Sequence, residues 1–357
     1  MTICEDVVNR LATACLRPGP DTTACRKLKE RLASGRDSSP EAVAADLKIP
    51  AADLGDVLGR ARAQAARWLS EAAARGFDLI TSAEARYPDR LAEIADPPVA
   101  FWQQGPLPLI GKSVAIVGSR TATPAGLVVA RQLSRDLAGL GYTIVSGLAA
   151  GVDGAAHQAA LEVDGLTVAV LGCGVDVVYP YRHKALAAAI TGTGALVSEF
   201  PPGSGPVAWH FPLRNRIISG LAQAVVVVEA SERSGSLITA RTAMDQGRDV
   251  LAVPGSVASG RYRGCHALIR DGARLVETVD DVLEELEGIR RRPSDDSLAK
   301  SLFVSYLEPV MARAEQYTVD DLAERTGRPV AELLTELGHL EIEGRIARTS
   351  AGRFVRS

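Results

Sequence analysis

The stretch from Val114 to Arg120 joins an apolar run to residue types that can bind an anion. Its first four residues, Val-Ala-Ile-Val, are typical of a buried parallel strand, and Pro124 suits the first turn of a following helix. Backbone N–H groups at such a strand-to-helix turn attract phosphate, and an arginine fork can bind two of its oxygens. The pattern predicts a phosphate site at Gly118, Ser119 and Arg120. The alternative is an ordinary turn that carries a solvated arginine.

A second glycine-rich turn runs from Ser146 to His157, where Gly147 and Gly151 favour a tight connection into a helix. Asp153 stands four residues before His157, so the two share a helix face. Such a pair could exchange protons, but a carboxylate that hydrogen-bonds a histidine one turn later is more often structural. We favour the structural role.

The third predicted strand ends in Leu171-Gly-Cys-Gly174, where the glycines allow a ligand to approach the backbone. Cys173 is a nucleophile by type, but no histidine stands beside it in the sequence, so we expect a packing residue. From Tyr179 to Lys184, aromatic rings alternate with basic groups, a pattern that can stack bases and neutralise phosphates. The same tyrosines could instead be packing residues.

Basic residues are densest between His210 and Arg216, where an Arg-Asn-Arg triplet stands at a predicted helix start. After the next predicted strand, the loop from Glu229 to Leu237 offers amides for an anion, and its Ser236 can cap the following helix. The chain lacks the G-x-x-x-x-G-K-[ST] loop and has no G-x-G-x-x-G turn after the first strand. We therefore expect neither ATP hydrolysis nor a nicotinamide cofactor.

Several anion-binding turns that line one groove suit a chain of phosphates better than one small substrate. We predict that these loops contact the phosphates or bases of a nucleic acid, with no catalytic residue and no metal ligand among them. The first candidates for phosphate contacts are Arg120, Arg214 and Arg216. The wider set is what the family resemblance given below implies: Gly118, Ser119, Gly147, Gly174, Tyr181, Arg182, Lys184, Asn215, Ser234, Gly235 and Ser236.

Apolar strands alternate with amphipathic helices across this part of the chain. After the strand at 114–117, the predicted strands are Thr143–Ser146, Thr167–Leu171, Ala195–Ser198, Ala224–Glu229 and Asp249–Val253. Such alternation predicts an α/β fold with a Rossmann-like, doubly wound and mostly parallel sheet. Ligands bind these sheets outside the carboxyl ends of the strands, which is where the predicted contact residues fall.

Composition narrows the class of protein. The 357 residues, 46% of them hydrophobic, allow two or three domains with a sizeable core. No run approaches the roughly 18 apolar residues of a membrane span, and the N-terminus lacks signal-peptide features, so we expect a cytoplasmic protein. The five scattered cysteines indicate neither disulfides nor zinc. Because the net charge is −3, a polyanion would have to bind a local basic groove.

Six segments, in their order and spacing, resemble the DNA-processing protein A (DprA/Smf) family over roughly residues 80 to 285. They are Gly118–Arg120, Ser146–Asp153, Tyr179-Pro180, His210–Arg216, Ser234–Thr239 and Gly247–Gly255. The resemblance implies a protein that binds and protects incoming single-stranded DNA and loads RecA onto it during natural transformation, without catalytic turnover. It also implies a homodimer through the Rossmann-like domain, with the stretch from Cys265 to Leu275 near the contact.

The chain departs from the family pattern at one point. The family often has a lysine after Tyr-Pro and an asparagine two residues later, where this chain has Tyr181 and His183. We expect Arg182 or Lys184 to supply the missing basic group.

The expected domains are a helical domain of the SAM or helix-hairpin-helix kind at 1–77, the Rossmann-like domain at 78–288, a charged linker at 289–300 and a winged-helix domain at 301–357. In the last domain, Thr318 and Asp321 predict a capped helix, Val330 to Leu340 a second helix, and the residues after Gly344 a hairpin. The second helix is acidic, which favours partner contact or autoregulation over duplex reading.

Two other classes of function are open. Related Rossmann-like enzymes that cleave nucleoside monophosphates also use glycine-rich phosphate turns, and Glu229 is then the candidate acid. Otherwise we expect this carboxylate to orient Arg214 or Arg216. The third class is a protein-interaction scaffold, which the C-terminal domain would suit.

Overall fold

The computed structural model describes residues 12, 23–106, 111–288, 307, 310–311, 315–342, 346–349 and 352–356. The chain divides into two compact units, Met1–Arg292 and Pro293–Ser357. The predicted linker at 289–300 lies outside the described residues, and the boundary between the units falls within it. The further division at residue 77 stays a prediction, since the N-terminal helices and the sheet belong to one unit.

Three helices precede the sheet: α1 (Thr23–Ala33), α2 (Pro40–Asp46) and α3 (Ala51–Arg75). Ser39 caps α2, because its hydroxyl oxygen accepts the Ala42 N–H at 3.3 Å and a proline occupies the first helical position. Buried apolar residues of the three helices share a cluster with Val99 and Ala100. The helices therefore pack against the segment that leads into the sheet.

The first unit is built on a nine-stranded sheet in the order β1-β2-β6-β5-β4-β3-β7-β8-β9. The strands are β1 (Asp78–Thr81), β2 (Ala100–Gln104), β3 (Ser113–Gly118), β4 (Thr143–Ser146), β5 (Thr167–Val170), β6 (Ala195–Ser198), β7 (Ala224–Val228), β8 (Asp249–Ala252) and β9 (Arg274–Leu275). β3 to β9 pair in parallel, whereas β2 pairs antiparallel with β1 and β6. The six predicted parallel strands are confirmed to within one residue at each end; the edge strand β9 was not predicted.

Helices cover both faces of this sheet. They are α4 (Asp89–Ala92), α5 (Pro124–Gly139), α6 (Val152–Leu161), α7 (Lys184–Thr193), α8 (His210–Leu221), α9 (Ser236–Asp245), α10 (Arg263–Arg270) and α11 (Val279–Glu287). Within β3, Val114 and Ile116 join the core formed with α5, α6 and α11, whereas Ala115 and Val117 join the core formed with α8, α9 and α10. Successive side chains enter opposite cores because a strand has a period of two. The doubly wound α/β fold is confirmed.

The order of the strands creates a crevice. The chain lays β3 to β6 in one direction across the sheet and then returns to place β7 on the other side of β3. Connections that leave such a switch point diverge and open a crevice at the carboxyl ends of the two strands. Gly118 pairs with Val228 there, and a Cβ on Gly118 would overlap the carbonyl oxygen of Val228. The close pairing of β3 and β7 requires glycine at this position.

The second unit contains β10 (Gln316–Tyr317), α12 (Val319–Thr326), α13 (Val330–Ile342), β11 (Ile346–Arg348) and β12 (Phe354–Arg356). Thr318 and Asp321 form the predicted reciprocal cap of α12. β12 lies between β10 and β11 in a small antiparallel sheet, which confirms the predicted hairpin. Two helices followed by this hairpin form the predicted winged helix.

No helix among the described residues is long and apolar enough to cross a bilayer.

We expect Gly118→Ala to lower the free energy of unfolding by about 3 kcal/mol, because the added methyl group must separate β3 from β7. Gly59→Ala is the matched control: it lies inside α3 with open space at its Cβ, and it should raise stability by about 0.5–1 kcal/mol. Urea unfolding of both variants measures the two shifts. Equal shifts would show that Gly118 is not constrained by Val228.

Candidate nucleic-acid interface

An open cleft of about 720 Å³ lies at the carboxyl ends of β3 and β7. Eight of the predicted contact residues line it: Gly118, Ser119, Arg120, Arg214, Asn215, Ser234, Gly235 and Ser236. The switch point of the sheet therefore brings together loops that are far apart in the sequence, as the fold predicts.

The first wall of the cleft is the turn after β3. The Ser119 hydroxyl oxygen accepts the Thr121 N–H at 3.2 Å, and Thr123 caps α5 by accepting the Gly126 N–H at 3.1 Å. Arg120 is exposed and makes no hydrogen bond with any described residue. Its guanidinium carbon lies 5.4 Å from the centre of the Phe211 ring. The full set of guanidinium donors on Arg120 is therefore available to an anion in the cleft.

The opposite wall is the loop that leads into α9. The Ser234 and Ser236 hydroxyls are 2.7 Å apart, and the Ser234 oxygen accepts the Ser236 N–H at 3.4 Å. The prediction that Ser236 caps α9 is wrong: Ser236 is the first helical residue, and Gly235 occupies the cap position without a side-chain bond. The start of α9 still lines the cleft, where the helix dipole favours negative charge.

Arg214 forms the floor of the cleft and is only 3% exposed. Its Nη1 donates to the carbonyl oxygens of Gly147, at 2.8 Å, and of Val170. Burial lowers the pKa of this guanidinium to about 10, and the nearby Asp153 carboxylate opposes that shift. Its Nε has no partner among the described residues. Arg214 is thus a buried cation that joins the ends of β4 and β5, and a phosphate contact through it stays a prediction.

A buried carboxylate holds the turn after β4 in place. Asp153 accepts the N–H groups of Gly147, at 3.1 Å, and Ala149, at 3.4 Å. Burial raises the pKa of this carboxyl, while Arg214 acts in the opposite direction. The Gly147 amide is therefore occupied by Asp153, and the space at its Cα is filled by Arg214. A phosphate contact through the Gly147 amide stays a prediction, and in this structure that N–H already has a protein acceptor.

His157 has a structural role, but its partner differs from the expected one. Its Nδ1 lies 2.7 Å from the Thr167 hydroxyl, whose own proton goes to the Ile144 carbonyl oxygen. The Nδ1 atom therefore carries the proton and donates to Thr167 rather than to Asp153. The buried Nε2 has no partner among the described residues. Burial lowers the pKa of His157 from 6.5 to about 3.

Arg216 lies outside the cleft, although it is only two residues from Arg214. Its Nη2 donates to Glu199 at 2.6 Å, and its Nε donates to the Asp96 carboxylate at 3.2 Å. Two residues along a helix correspond to more than half a turn, so the two arginines face different surroundings. A phosphate contact through Arg216 stays a prediction, and in this structure two carboxylates hold its guanidinium.

Four other predicted residues also lie outside the cleft: Gly174, Tyr181, Arg182 and Lys184. Tyr181 is 75% exposed, and the Lys184 ammonium lies 5.8 Å from the centre of its ring. Of this segment, Tyr179 is the aromatic residue that lines the cleft, and its ring centre is 5.7 Å from that of Phe211, which also lines it. The segment contributes a ring to the cleft, as predicted, but through the other tyrosine.

Glu229 follows β7 and is 1% exposed. Its two oxygens accept the Thr123 N–H at 3.1 and 2.9 Å, and Oε2 accepts the Thr123 hydroxyl at 2.6 Å. Its cationic partner is Arg261, at 3.4 Å. The expectation that this carboxylate orients Arg214 or Arg216 is wrong. Sequence reasoning missed Arg261, which lines the cleft from the segment between β8 and α10 and belongs to no phosphate motif.

Cys173 is a packing residue, as predicted. It is buried, its thiol donates to the Val177 carbonyl oxygen, and burial raises its pKa to about 11. The thiolate that a nucleophile requires is therefore disfavoured. Within the described part of the chain, no group of three or more His, Cys, Asp or Glu side chains could hold a metal ion.

The fold and the site define a Rossmann-like protein with an arginine-lined cleft at its switch point and a winged-helix unit. Residues 78–287 match the DNA recombination-mediator protein A family, and residues 313–352 match the DprA winged helix domain. The chain belongs to this family of DNA-processing recombination mediators, which confirms the resemblance seen in the sequence.

Protein Smf of Escherichia coli (strain K12) is 43% identical over 74% of each chain. The X-ray structure of DNA processing protein A (DprA) from Streptococcus pneumoniae covers 80% of this chain and 99% of its own, with 35% identity and a TM-score of 0.65. DNA processing protein A from Helicobacter pylori, whose structure is described for its single-stranded DNA binding mode, covers 59% and 96%, with 28% identity and a TM-score of 0.54.

We expect acidification to destabilise the first unit through His157. Its pKa is about 3 when folded and 6.5 as a free side chain, so between these values the unfolded chain binds more protons. The free energy of unfolding should then fall by up to about 1.4 kcal/mol for each pH unit below pH 6.5. Urea unfolding between pH 7.5 and 5 measures the slope. The His157→Gln variant has no imidazole to titrate in this range, so its free energy of unfolding should depend less steeply on pH. An unchanged slope would assign the pH dependence to other groups.

Proposed function

We propose that this chain binds single-stranded DNA along the cleft and mediates recombination without catalytic turnover. The observation that carries the proposal is the position of Arg120 beside the Phe211 ring, which in turn lies next to the Tyr179 ring, in one open cleft. A guanidinium binds phosphate, while exposed rings stack on unpaired bases whatever their sequence. A single strand can use both the guanidinium and the rings, because it carries phosphates and its bases are not already stacked within a duplex.

Electrostatics support the same proposal. The whole chain carries a net charge of −3, so its overall field does not attract DNA. In the cleft, three arginines (Arg120, Arg214 and Arg261) face two carboxylates, Asp153 and Glu229. Both carboxylates already accept hydrogen bonds from backbone N–H groups. The excess of positive charge is therefore local and lies where a phosphate backbone would pass.

The family relationship supports the ligand class. The Helicobacter pylori relative is described as binding single-stranded DNA, and the family is named for recombination mediation. We further propose that this chain delivers the bound strand to RecA, in the cytoplasm, where recombination takes place.

A nucleotide-cleaving enzyme is the less favoured function. Its candidate acid, Glu229, is buried, and its oxygens accept the N–H and the hydroxyl of Thr123 and one N–H of Arg261. A general acid must direct a carboxyl oxygen at the substrate, whereas both oxygens of Glu229 are directed at protein donors. We therefore propose that no base is released from nucleoside monophosphates; release that is abolished by Glu229→Gln would establish the enzyme. If the chain neither binds DNA nor releases base, a protein-interaction scaffold is the remaining class of function.

A homodimer through the first unit remains part of the proposal. Cys265 is buried in the core, so it cannot itself form the contact. Leu275 is 42% exposed on β9, the strand at one edge of the sheet, and unpaired strand edges readily bind a second copy.

We expect Leu275→Arg to halve the mass of the particle in analytical ultracentrifugation, because a charge would be buried at the contact. Leu140→Arg is the control: it changes a similarly exposed leucine at the C-terminal end of α5, away from the proposed edge, and should leave the mass unchanged. A parent chain that sediments as a monomer would contradict the proposed dimer.

We expect Arg120→Ala to weaken binding of a single-stranded oligonucleotide and to flatten the slope of log K against log salt by about 0.7, since one phosphate contact is lost. Fluorescence anisotropy across a salt series, with single- and double-stranded oligonucleotides of matched length, measures both quantities. Arg60→Ala, an exposed arginine on α3 outside the cleft, is the control and should match the parent.

The outcomes separate the proposals. Preference for single strands that Arg120→Ala weakens supports the cleft as the binding site. Equal binding by parent and Arg120→Ala places the strand elsewhere on the molecule. A parent chain that binds no strand at low salt would contradict the proposed function.

A further inference from the structure

Arg261 is a cleft residue that the sequence motifs do not include. It belongs to the segment between β8 and α10, and its side chain is 48% exposed. Its Nη1 donates to the Thr121 carbonyl oxygen at 2.9 Å and lies 3.4 Å from Glu229 Oε1. Its Nε and Nη2 make no hydrogen bond with any described residue. Of five guanidinium N–H groups, the three on Nε and Nη2 are thus available to a ligand.

The fold fixes the position of the Glu229 carboxylate, which Arg261 contacts. Glu229 has a φ of 51°, a conformation that costs free energy for any residue other than glycine. The lack of a side chain at Gly126 makes room for it, since a Cβ there would lie 2.5 Å from Glu229 Oε2. Thr123 supplies both of its protons to this carboxylate. Glu229 is therefore fixed in place by the start of α5, independently of Arg261.

The segment that carries Arg261 is also fixed. Tyr262, the next residue, is buried, and its hydroxyl interacts with Thr123 and Glu229. Its ring lies directly against Gly255, where any side chain would overlap it. The backbone of Arg261 is thus held beside the same carboxylate that its side chain contacts. One edge of the guanidinium is anchored, and its conformational freedom is already reduced before a ligand binds.

We propose that Arg261 is a phosphate-binding residue of the cleft and that Glu229 is the residue that positions it. This inference rests on the proposed single-stranded DNA binding. The Nη1 edge of the guanidinium stays on Thr121 and Glu229, while the Nε–Nη2 edge binds two oxygens of one phosphodiester. That geometry is the fork by which arginine recognises phosphate and which lysine lacks. Arg261 and Arg120 then hold the strand from two different connections of the sheet.

The first test substitutes Arg261. Arg261→Ala should weaken single-strand binding about tenfold at low salt, as expected for a lost charged hydrogen bond, and flatten the salt slope by about 0.7. Arg261→Lys keeps the charge, so it should keep the slope while binding several-fold more weakly. Arg263→Ala is the matched control, because this exposed arginine two residues away does not line the cleft. Thermal unfolding of each variant checks that the fold is intact.

The second test asks whether Glu229 acts through Arg261. In Glu229→Gln, the amide offers one acceptor oxygen and two donors to a site that holds only donors, so Arg261 loses its anchor. Binding should weaken several-fold when Arg261 is present. In the Arg261→Ala background the same substitution should leave binding unchanged or strengthen it, because a nearby negative charge is removed. The same loss in both backgrounds would show a merely structural role for Glu229.

Three results overturn the inference. If the parent binds single strands and Arg261→Ala binds equally well with the same salt slope, Arg261 is not a phosphate contact, while the proposed function stands. If Arg263→Ala weakens binding as much as Arg261→Ala, the weaker binding comes from the lost positive charge in general and not from a specific phosphate contact. If the parent binds no strand, the proposed function fails, and the role of Arg261 fails with it.

Discussion

The cleft depends on one buried cation. Arg214 donates to the carbonyl oxygens of Gly147 and Val170, which lie at the carboxyl ends of two neighbouring strands, and Asp153 stands close enough to offset its charge. Removing a guanidinium from water costs several kcal/mol, and the cost is offset only when acceptors surround it. Here the acceptors are the two strand-end carbonyls, and the nearby Asp153 carboxylate offsets the charge while it accepts the N–H groups of Gly147 and Ala149. The floor of the cleft is consequently rigid, and the exposed Arg120 lies above it.

The two halves of the sheet meet at a second fixed point, on the other side of β3. Glu229 follows β7, accepts both protons of Thr123 at the start of α5, and contacts Arg261 from beyond β8. Three connections of the sheet are thereby joined around one buried carboxylate. The two fixed points use opposite charges: a cation joins the strand ends at the floor, and an anion joins the loops at the wall. Between them lie the amides, hydroxyls and rings available to a ligand.

This arrangement explains how a protein with a net negative charge can offer a site for a polyanion. The cleft carboxylates are turned toward protein donors. The guanidinium donors of Arg120 and the Nε and Nη2 donors of Arg261 are not matched by acceptors among the described residues. Surface charge elsewhere is screened within about 10 Å at ordinary ionic strength. A phosphate in the cleft therefore interacts mainly with these nearby donors, and the overall charge of the chain matters little there.

The sequence by itself determined the elements. Runs such as Ala224–Val228 and turns such as Gly118–Arg120 are local patterns, and they predicted the six parallel strands, the capped helix at Thr318 and the edge of the sheet that carries the cleft. The tertiary structure decided which side chains reach the cleft. Arg214 and Arg216 look equivalent in the sequence, yet one lies under the cleft and the other is held by Asp96 and Glu199. Tyr179 lines the cleft in place of Tyr181, and Arg261 also lines it although it belongs to none of the sequence motifs. The reason is physical: backbone conformation follows from neighbours in the chain, whereas a side chain's partners come from residues brought near only by folding.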